Sequence, residues 1–279
     1  MKQFVLPSHY AGEDELTLTG DDFHYLRRVR RVTEGESFAG RGRDGTPYRL
    51  TVVSVTESSL RLRVSQSSDA PGGGDGGSDG GRDGGGSAGR ELDITLYQCL
   101  PKGRKLDEIV RQATEAGAER IVPVASARAV KRLDDRDRAT RRLERWRRIA
   151  EEAVQQSGRE SIASVEPVCE LSQIPSIDSV RDTAADSAGG ETRGFVCSEK
   201  ALAKQSFGGY LNAGLRRVAL VIGPEGGLSD EEISSLVRRG FNVVSLGPNV
   251  LRTETAAVYA IAAVQSVYRE QLLWMQEQT

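Results

Sequence analysis

From residue 1 to residue 66 the apolar positions come in short alternating or β-branched runs. These are Gln3–Leu6, Glu15–Leu18, Tyr48–Val55 and Ser59–Val64, separated by turn-forming stretches such as Gly40–Gly45. Period-two alternation bounded by turn residues predicts strands, and so a small β domain. From residue 91 the spacing changes. Leu92–Cys99 reads as a strand and Pro101–Arg104 as a turn, after which Leu106, Ile109, Val110 and Ala113 fall on one helical face. Gly117 ends that helix and Arg120–Val124 is the next strand, a β–α–β unit that implies a parallel, right-handed crossover. A long helix is predicted over roughly 137–156, with Leu143, Trp146, Ile149, Ala150, Ala153 and Val154 as its apolar stripe. Val165–Val168 and Gly194–Ser198 read as further strands, and the polar, alanine-rich Asp178–Thr192 between them as a surface loop. Thr255–Met275 is a final amphipathic helix whose Ala256, Ala257, Ala260, Ala262 and Ala263 form a small-residue face.

Between the two patterns lies SSDAPGGGDGGSDGGRDGGGSAGR, residues 67–90, with eleven glycines and no large apolar side chain. Such a segment cannot offset its ordering entropy and is expected to be a flexible linker. It is not a phosphate-binding loop, because no strand leads into it and no Lys-Ser or Lys-Thr follows. The expected organisation is a β domain at 1–66, a linker at 67–90 and a second domain at 91–279.

Residues 218–257 carry the clearest chemical signal. Val218–Ile222 is a continuous apolar run, the pattern of a buried strand, and it empties into Gly223-Pro224-Glu225-Gly226-Gly227. A helix follows, with Ser229 and Glu232 at capping-box spacing, Ile233, Leu236 and Val237 as its apolar face, and Gly240 as its terminator. A second short strand, Val243–Leu246, empties into Gly247-Pro248, and Thr253 opens the last helix. The two strand ends are expected to lie side by side in a parallel sheet, at whose carboxyl edge ligands bind. Glycine there lets a ligand approach the backbone. Either loop alone is equally an ordinary strand-to-helix turn, since Gly and Pro punctuate most loops.

Charge alters the picture locally. The chain has 279 residues and a formal net charge of −2, which does not advertise a nucleic-acid binder. Yet Ser126–Arg148 holds ten Lys or Arg against four Asp or Glu, and Arg27, Arg28, Arg30 and Arg31 crowd one short segment. Arginines of the long helix are expected to pair in part with Asp134, Asp137 and Glu144. Both basic segments suit a polyanion; both are also what a solvated helix face looks like. Cys99, Cys169 and Cys197 are scattered and outside any CxxC spacing, which points to a reducing cytoplasm and away from a zinc site or a disulfide framework. With only His9 and His24, no metal site is expected. No apolar run is long enough to span a bilayer.

GPEGGLSDEE followed by LGPNVLRTETAA closely resembles the RsmE family, which methylates uridine N3 in bacterial small-subunit ribosomal RNA and belongs to the SPOUT class of S-adenosylmethionine (SAM) methyltransferases. KGRKLDEIVRQATEAGAERIVPV is similar to the family's KGxRMDxLIxKATELGVxxIxPL, with Gln112 for Lys and Ala116 for Leu. SARAVK resembles SERSVxK with Ala127 for Glu, and Gln155–Arg159 resembles EQSxR with Gln155 for Glu, while Ala163 stands where Pro is usual. His24–Arg31 resembles HHLxxVLR with Tyr25 for His and Arg30 for Leu.

The resemblance implies an α/β fold: a SPOUT-type parallel sheet with a C-terminal deep trefoil knot, preceded by a small PUA-like β-barrel domain. It implies SAM as methyl donor, held by Ile222, Gly223, Glu225, Gly226, Gly227, Leu246, Gly247, Val250 and Leu251. It assigns catalysis to Arg252, whose planar cation can stabilise charge on the uracil oxygens as N3 loses its proton, and to Glu254. A carboxylate in the first turn of a helix is favoured as the ion, which makes Glu254 a weak base. RNA contacts are expected from His24, Arg28, Arg31, Lys102, Arg128 and Arg159. The implied partners are 16S rRNA, within the assembled small subunit, and a second copy of the chain. A SPOUT enzyme acting on transfer RNA and a non-catalytic assembly factor remain open alternatives. A Rossmann enzyme is disfavoured, because no GxGxxG follows a first strand.

Overall fold

The computed structural model describes residues 4–7, 9–42, 46–67, 92–128, 136–157, 159, 162–182, 190–199 and 207–276. All but the first residue of the Gly-rich stretch 67–90 lies outside the described residues, as do 129–135 of the basic run. The chain forms two compact units, residues 1–85 with 154–162 and residues 86–153 with 163–279.

The first unit is built on a five-stranded sheet of β1 (Phe4–Val5), β2 (Glu15–Thr19), β3 (Ser37–Arg41), β4 (Pro47–Val55) and β5 (Ser59–Gln66), in the order β1-β3-β4-β5-β2. The alternation read from the sequence places Leu16, Leu18, Leu50, Val52, Leu60, Leu62 and Val64 in one core with Phe4, Phe23 and Leu26. Strand β3 shortens the expected turn stretch Gly40–Gly45 by its first two residues; Gly42 donates its N–H to the Thr46 carbonyl at 2.8 Å, and 43–45 lie outside the described residues. Gly40 pairs with Tyr48 in the ladder, and a Cβ there would run into the Leu50 side chain, so glycine serves packing rather than turning. The basic segment is a short helix, α1 (Gly20–His24), continuing as a π-helical stretch over Tyr25–Arg30. It is not a uniformly solvated face. Arg27 and Arg28 are exposed, but the Arg30 guanidinium lies 4.5 Å from the centre of the Phe38 ring.

The second unit is a three-layer α/β structure. Its elements are β6 (Asp93–Cys99), α2 (Lys105–Glu115), β7 (Arg120–Ala125), α3 (Arg136–Ser157), β8 (Ser164–Val165), β9 (Cys169–Glu170), α4 (Ile177–Asp182), β10 (Glu191–Cys197), β11 (Leu215–Ile222), α5 (Asp230–Arg238), β12 (Phe241–Val244) and α6 (Thr253–Gln276). The end of α3 clusters with the first unit. Seven strands form one sheet in the order β12-β10-β11-β6-β7-β8, with β9 also on β7, and every pairing is parallel. A parallel sheet needs both faces covered. Ile94 and Leu96 of β6 and Val218, Leu220 and Ile222 of β11 pack with Ile109 and Ala113 of α2, Trp146 of α3 and Ala257, Ala260 and Ile261 of α6. The alternate residues Tyr97, Cys99, Ala219 and Val221 pack on the other face with Ile177 of α4 and Ile233 and Leu236 of α5.

The structure corrects several expectations. Strands β11 and β12 do not lie side by side: β10 runs between them, paired with both. Gly194 lets Ile177 and Phe241 pack closely over the middle of β10. The stretch Asp178–Thr192 is not simply a loop. It begins inside α4 and ends inside β10, with 183–189 outside the described residues. β12 starts at Phe241 and stops at Val244, earlier than the expected Val243–Leu246. Val237 is 46 % exposed and does not belong to the buried face of α5, which the capping box of Ser229 and Glu232 opens as expected. Arg145 pairs with Asp107 of α2, which also accepts the Trp146 indole N–H at 3.1 Å, and Arg148 pairs with Glu152. Among the described residues no helix is long and apolar enough to cross a membrane.

Gly194 therefore carries a specific expectation. Gly194→Ala places a methyl group 2.7 Å from Phe241 Cδ1 and against Ile177, so it is expected to lower stability by about 1–3 kcal/mol. Urea unfolding measures this, and a midpoint unchanged from wild type would show that α4 and β12 yield freely.

Candidate active site

Three strand ends meet at the carboxyl edge of the second unit's sheet. β11 runs into Gly223–Leu228, β12 into Ser245–Arg252, and β10 ends at Cys197-Ser198-Glu199. Together they wall a cleft of about 250 Å³, completed by Thr253 and Ala256 of α6. Ile222, Leu228, Leu246, Val250 and Leu251 line it with apolar surface, while Ser198, Glu199, Glu225, Asn249 and Arg252 supply polar groups. Enclosure pushes the Cys197 thiol up to about 12.

Backbone geometry sets the shape of both loops. Gly247 has φ +125° with open space where a Cβ would stand, so glycine is required by conformation rather than by crowding. The Ser245 hydroxyl donates to the Gly247 carbonyl at 3.0 Å and accepts its N–H at 3.3 Å. Gly223 is different: a Cβ there would sit 3.3 Å from the Leu228 nitrogen, because the loop folds back across it.

A buried chain of hydrogen bonds ties these parts to the sheet. The fully buried Gln98, near the end of β6, donates through Nε2 to the Thr253 hydroxyl at 2.9 Å and to the Cys99 carbonyl at 3.0 Å. The Thr253 hydroxyl in turn donates to the Gly223 carbonyl at 2.8 Å. One hydroxyl thus joins the first loop, the start of α6 and a central strand.

A second tether is ionic. The Lys105 ammonium, in the first turn of α2, lies 3.2 Å from Glu225 Oε1 and 3.3 Å from Glu254 Oε2. The Lys102 N–H donates to both Glu225 oxygens at 3.2 Å. Burial alone would push the Glu225 carboxyl up, but the N–H groups of Glu225 itself and Lys102 and the Lys105 ammonium outweigh it and hold the carboxyl below its usual range. The hydrogen bond to Glu225 and the neighbouring Glu254 push Lys105 up, against a smaller opposing effect of desolvation. Stability from Glu225 is present above the ordinary carboxylate range and is lost as pH falls through its lowered value. That from Lys105 is present below the ordinary lysine range and is lost as pH rises through its raised value. The tether is therefore intact throughout the neutral range.

Of the residues expected to hold the cofactor, Ile222, Gly223, Glu225, Gly227, Leu246, Gly247, Val250 and Leu251 all line this one cleft, and so does Arg252. Gly226 does not; its carbonyl accepts the Arg128 guanidinium at 2.7 Å. Glu254 points to Lys105 instead of lining the cleft. Among the described residues Arg252 makes no ion pair. Lys102 and Arg128 sit beside the first loop through the bonds already given, and both are exposed. In the first unit, His24, Arg27 and Arg28 line a groove with Thr33, Glu34 and Glu57; Arg31 is exposed and closes the π-helical stretch with φ +56°, and Arg159 is half-buried. Among the described residues no group of three or more His, Cys, Asp or Glu could hold a metal ion.

Two features escaped the sequence reading. The end of β10 forms a wall of the cleft, and its signal was an apolar run, Phe195-Val196-Cys197, stopped by Ser198-Glu199. Lys105 was passed over for Lys102. Its signal was a cation in the first turn of a helix, where the dipole disfavours positive charge unless carboxylates attend it.

The sheet and cleft define a class, and comparison with known proteins agrees. Residues 89–265 match the model of a family described as an RNA methyltransferase domain. Ribosomal RNA small subunit methyltransferase E of Bacillus subtilis is 31 % identical over 266 residues, which cover 92 % of this chain and 91 % of that protein. Its counterpart from Mycobacterium bovis is 32 % identical over 245 residues, covering 88 % and 84 %. The crystal structure of a ribosomal RNA small subunit methyltransferase E from Neisseria gonorrhoeae, bound to S-adenosyl methionine, superposes with a TM-score of 0.72 at 25 % identity, covering 96 % of this chain and 98 % of that one. The chain belongs to the RsmE family of SAM-dependent ribosomal RNA methyltransferases.

The residues present fit that cofactor. Apolar walls suit an adenosyl group, Gly223 and Gly247 keep side chains off the backbone, and Glu199 and Glu225 bring negative charge to a cleft that must hold a sulfonium cation.

Thr253 is the residue on which to test the tethering of the loops. Thr253→Val keeps the shape but deprives the Gly223 carbonyl of its donor, and is expected to cost about 1–3 kcal/mol of stability and to weaken SAM binding. Thr253→Ser should behave nearly as wild type. Urea unfolding and calorimetric SAM titration read both effects, and wild-type SAM affinity in Thr253→Val would sever the link between this bond and the cleft.

Proposed function

We propose that the chain transfers the methyl group of SAM to N3 of one uridine of 16S rRNA within the assembled small subunit. The observation that carries this reading is Arg252 on the wall of the cleft, where its guanidinium makes no ion pair among the described residues. When bound, SAM supplies an electrophilic methyl group on sulfonium. The protein's part is to hold geometry, exclude water and stabilise charge. Arg252 presents a planar cation to the uracil oxygens as N3 loses its proton. Glu254 is engaged by Lys105 and acts by position.

Uracil N3 is inaccessible inside a paired stack, so the target uridine is unpaired or flipped into the cleft. On the first unit the groove of His24, Arg27 and Arg28, with Arg31 and Arg159, and on the second unit Lys102 and Arg128, are each read as surfaces that hold surrounding RNA, mainly by phosphate and shape. We read the five-stranded first unit as a PUA-like barrel domain within 1–66, residues 67–90 as a linker, and 91–279 as the catalytic domain. A deep trefoil knot is the path that the family resemblance implies for the C-terminal segment. Tyr259, 51 % exposed, and Leu273, 61 % exposed, on α6 are read as part of a homodimer contact. A cytoplasmic location is our reading from the rRNA substrate.

The reading is tested by incubating the protein and labelled SAM with unmodified small subunits and with naked rRNA, then mapping the methylated nucleotide by mass spectrometry. One N3-methylated uridine is expected, and methylation on ribose or on no nucleotide would reject the reading. Arg252→Ala is expected to bind SAM nearly normally and to lose about a hundredfold or more in single-turnover rate, with Arg252→Lys recovering part. A rate for Arg252→Ala within a few-fold of wild type removes Arg252 from the chemistry.

A further inference from the structure

Two carboxylates stand near Arg252 in the chain or in the cleft. Glu254 follows it by two residues at the start of α6, and Glu225 lines the same cleft. Arginine pairs readily with carboxylate in a bidentate fork, yet among the described residues Arg252 makes no ion pair. Both carboxylates are engaged elsewhere. Lys105 reaches both, at 3.2 Å and 3.3 Å, and Lys102 adds its backbone N–H to Glu225. The Glu225 and Glu254 side chains are 26 % and 17 % exposed and that of Lys105 35 %, so solvent partly screens this attachment and its effect is one of position more than of stability. Lys105 itself occupies the first turn of α2, a place where the helix dipole opposes a cation. Its value there lies in the two carboxylates it holds.

We infer that Lys105 is a positioning residue that keeps Arg252 available to the substrate by engaging the two carboxylates that would otherwise neutralise it. The inference rests on the reading of Arg252 as the group that stabilises charge on the uracil. Without Lys105, Glu225 or Glu254 turns to Arg252, and the cation that should meet the uracil oxygens is already paired. The loss falls on the chemical step, whereas a purely structural role would fall on loop stability and SAM affinity.

The test uses the full chain, unmodified small subunits and SAM, with single-turnover rate, SAM affinity and thermal unfolding measured on the same preparations. Lys105→Met is expected to lower the single-turnover rate about tenfold while SAM affinity stays within about threefold, and Lys105→Arg to remain within about threefold of wild type. In a Glu225→Gln, Glu254→Gln background the same Lys105→Met change should alter the rate by less than about twofold, since no carboxylate is left to capture Arg252. An unchanged rate for Lys105→Met in the wild-type background, or a loss that persists undiminished in the double-glutamine background, overturns the inference. Arg252→Ala separates the two ideas. If it is inert, the reading of Arg252 has failed. If it is slow and Lys105→Met is not, only the role of Lys105 has failed. Should the double-glutamine chain turn over too slowly to measure, the crystal structure of Lys105→Met decides. A guanidinium hydrogen-bonded to Glu225 or Glu254 supports the inference, and one that meets neither overturns it.

Discussion

The cleft depends on one hydroxyl. Thr253 stands where the second loop becomes α6, and its side chain both accepts from Gln98 and donates to the Gly223 carbonyl. Gln98 and Thr253 are removed from water and Gly223 is partly so, at a point where three chain segments meet. An unmade bond there would leave a buried polar group unpaired, which is far costlier than the modest gain from a made one. The consequence is geometric. The first loop cannot drift from the sheet without breaking a buried bond, and α6 cannot begin elsewhere. Everything the cleft presents to a ligand, from Gly223 to Ala256, is referenced to the end of β6.

Around that neutral anchor the charges are arranged in a second layer. Glu225 and Glu254 belong to the two loop regions, and Lys105 belongs to neither. A cation from α2 therefore stitches the loops from outside while leaving Arg252 on the inner wall. Glu232 does similar work on the far side. It completes the capping box with Ser229 and accepts the Ala127 N–H at 2.7 Å, so the segment after β7 is fastened to α5. Arg128, next along that segment, reaches the Gly226 carbonyl. The first loop is thus held from both flanks by side chains that do not themselves form the cleft.

Much of this was legible in the sequence, and the reasons for the rest are physical. The buried run Val218–Ile222, the capping box at Ser229 and the glycines at 223 and 247 are local signals, each set by neighbours a few residues away. Strand order is not local. Nothing in the periodicity of Phe195-Val196-Cys197 says that it will separate β11 from β12, because strand pairing joins residues far apart in the chain. The same limit hid Ser198 and Glu199 from the list of cleft residues. Val237 fits the helical period of α5 yet faces outward, since a nine-residue helix at the margin of the sheet buries a narrow stripe only. Lys105 and Lys102 differ by three positions in one polar turn. Only the fold reveals which of them meets the carboxylates through its side chain.

Cys197 ends β10 on the wall of a cleft suited to a reactive methyl donor. A thiolate in that place would be the strongest nucleophile available and would compete with the RNA for the methyl group. Desolvation pushes its thiol up, away from the thiolate that would be the stronger nucleophile. Packing at the strand end thus disfavours a rival nucleophile beside the methyl donor.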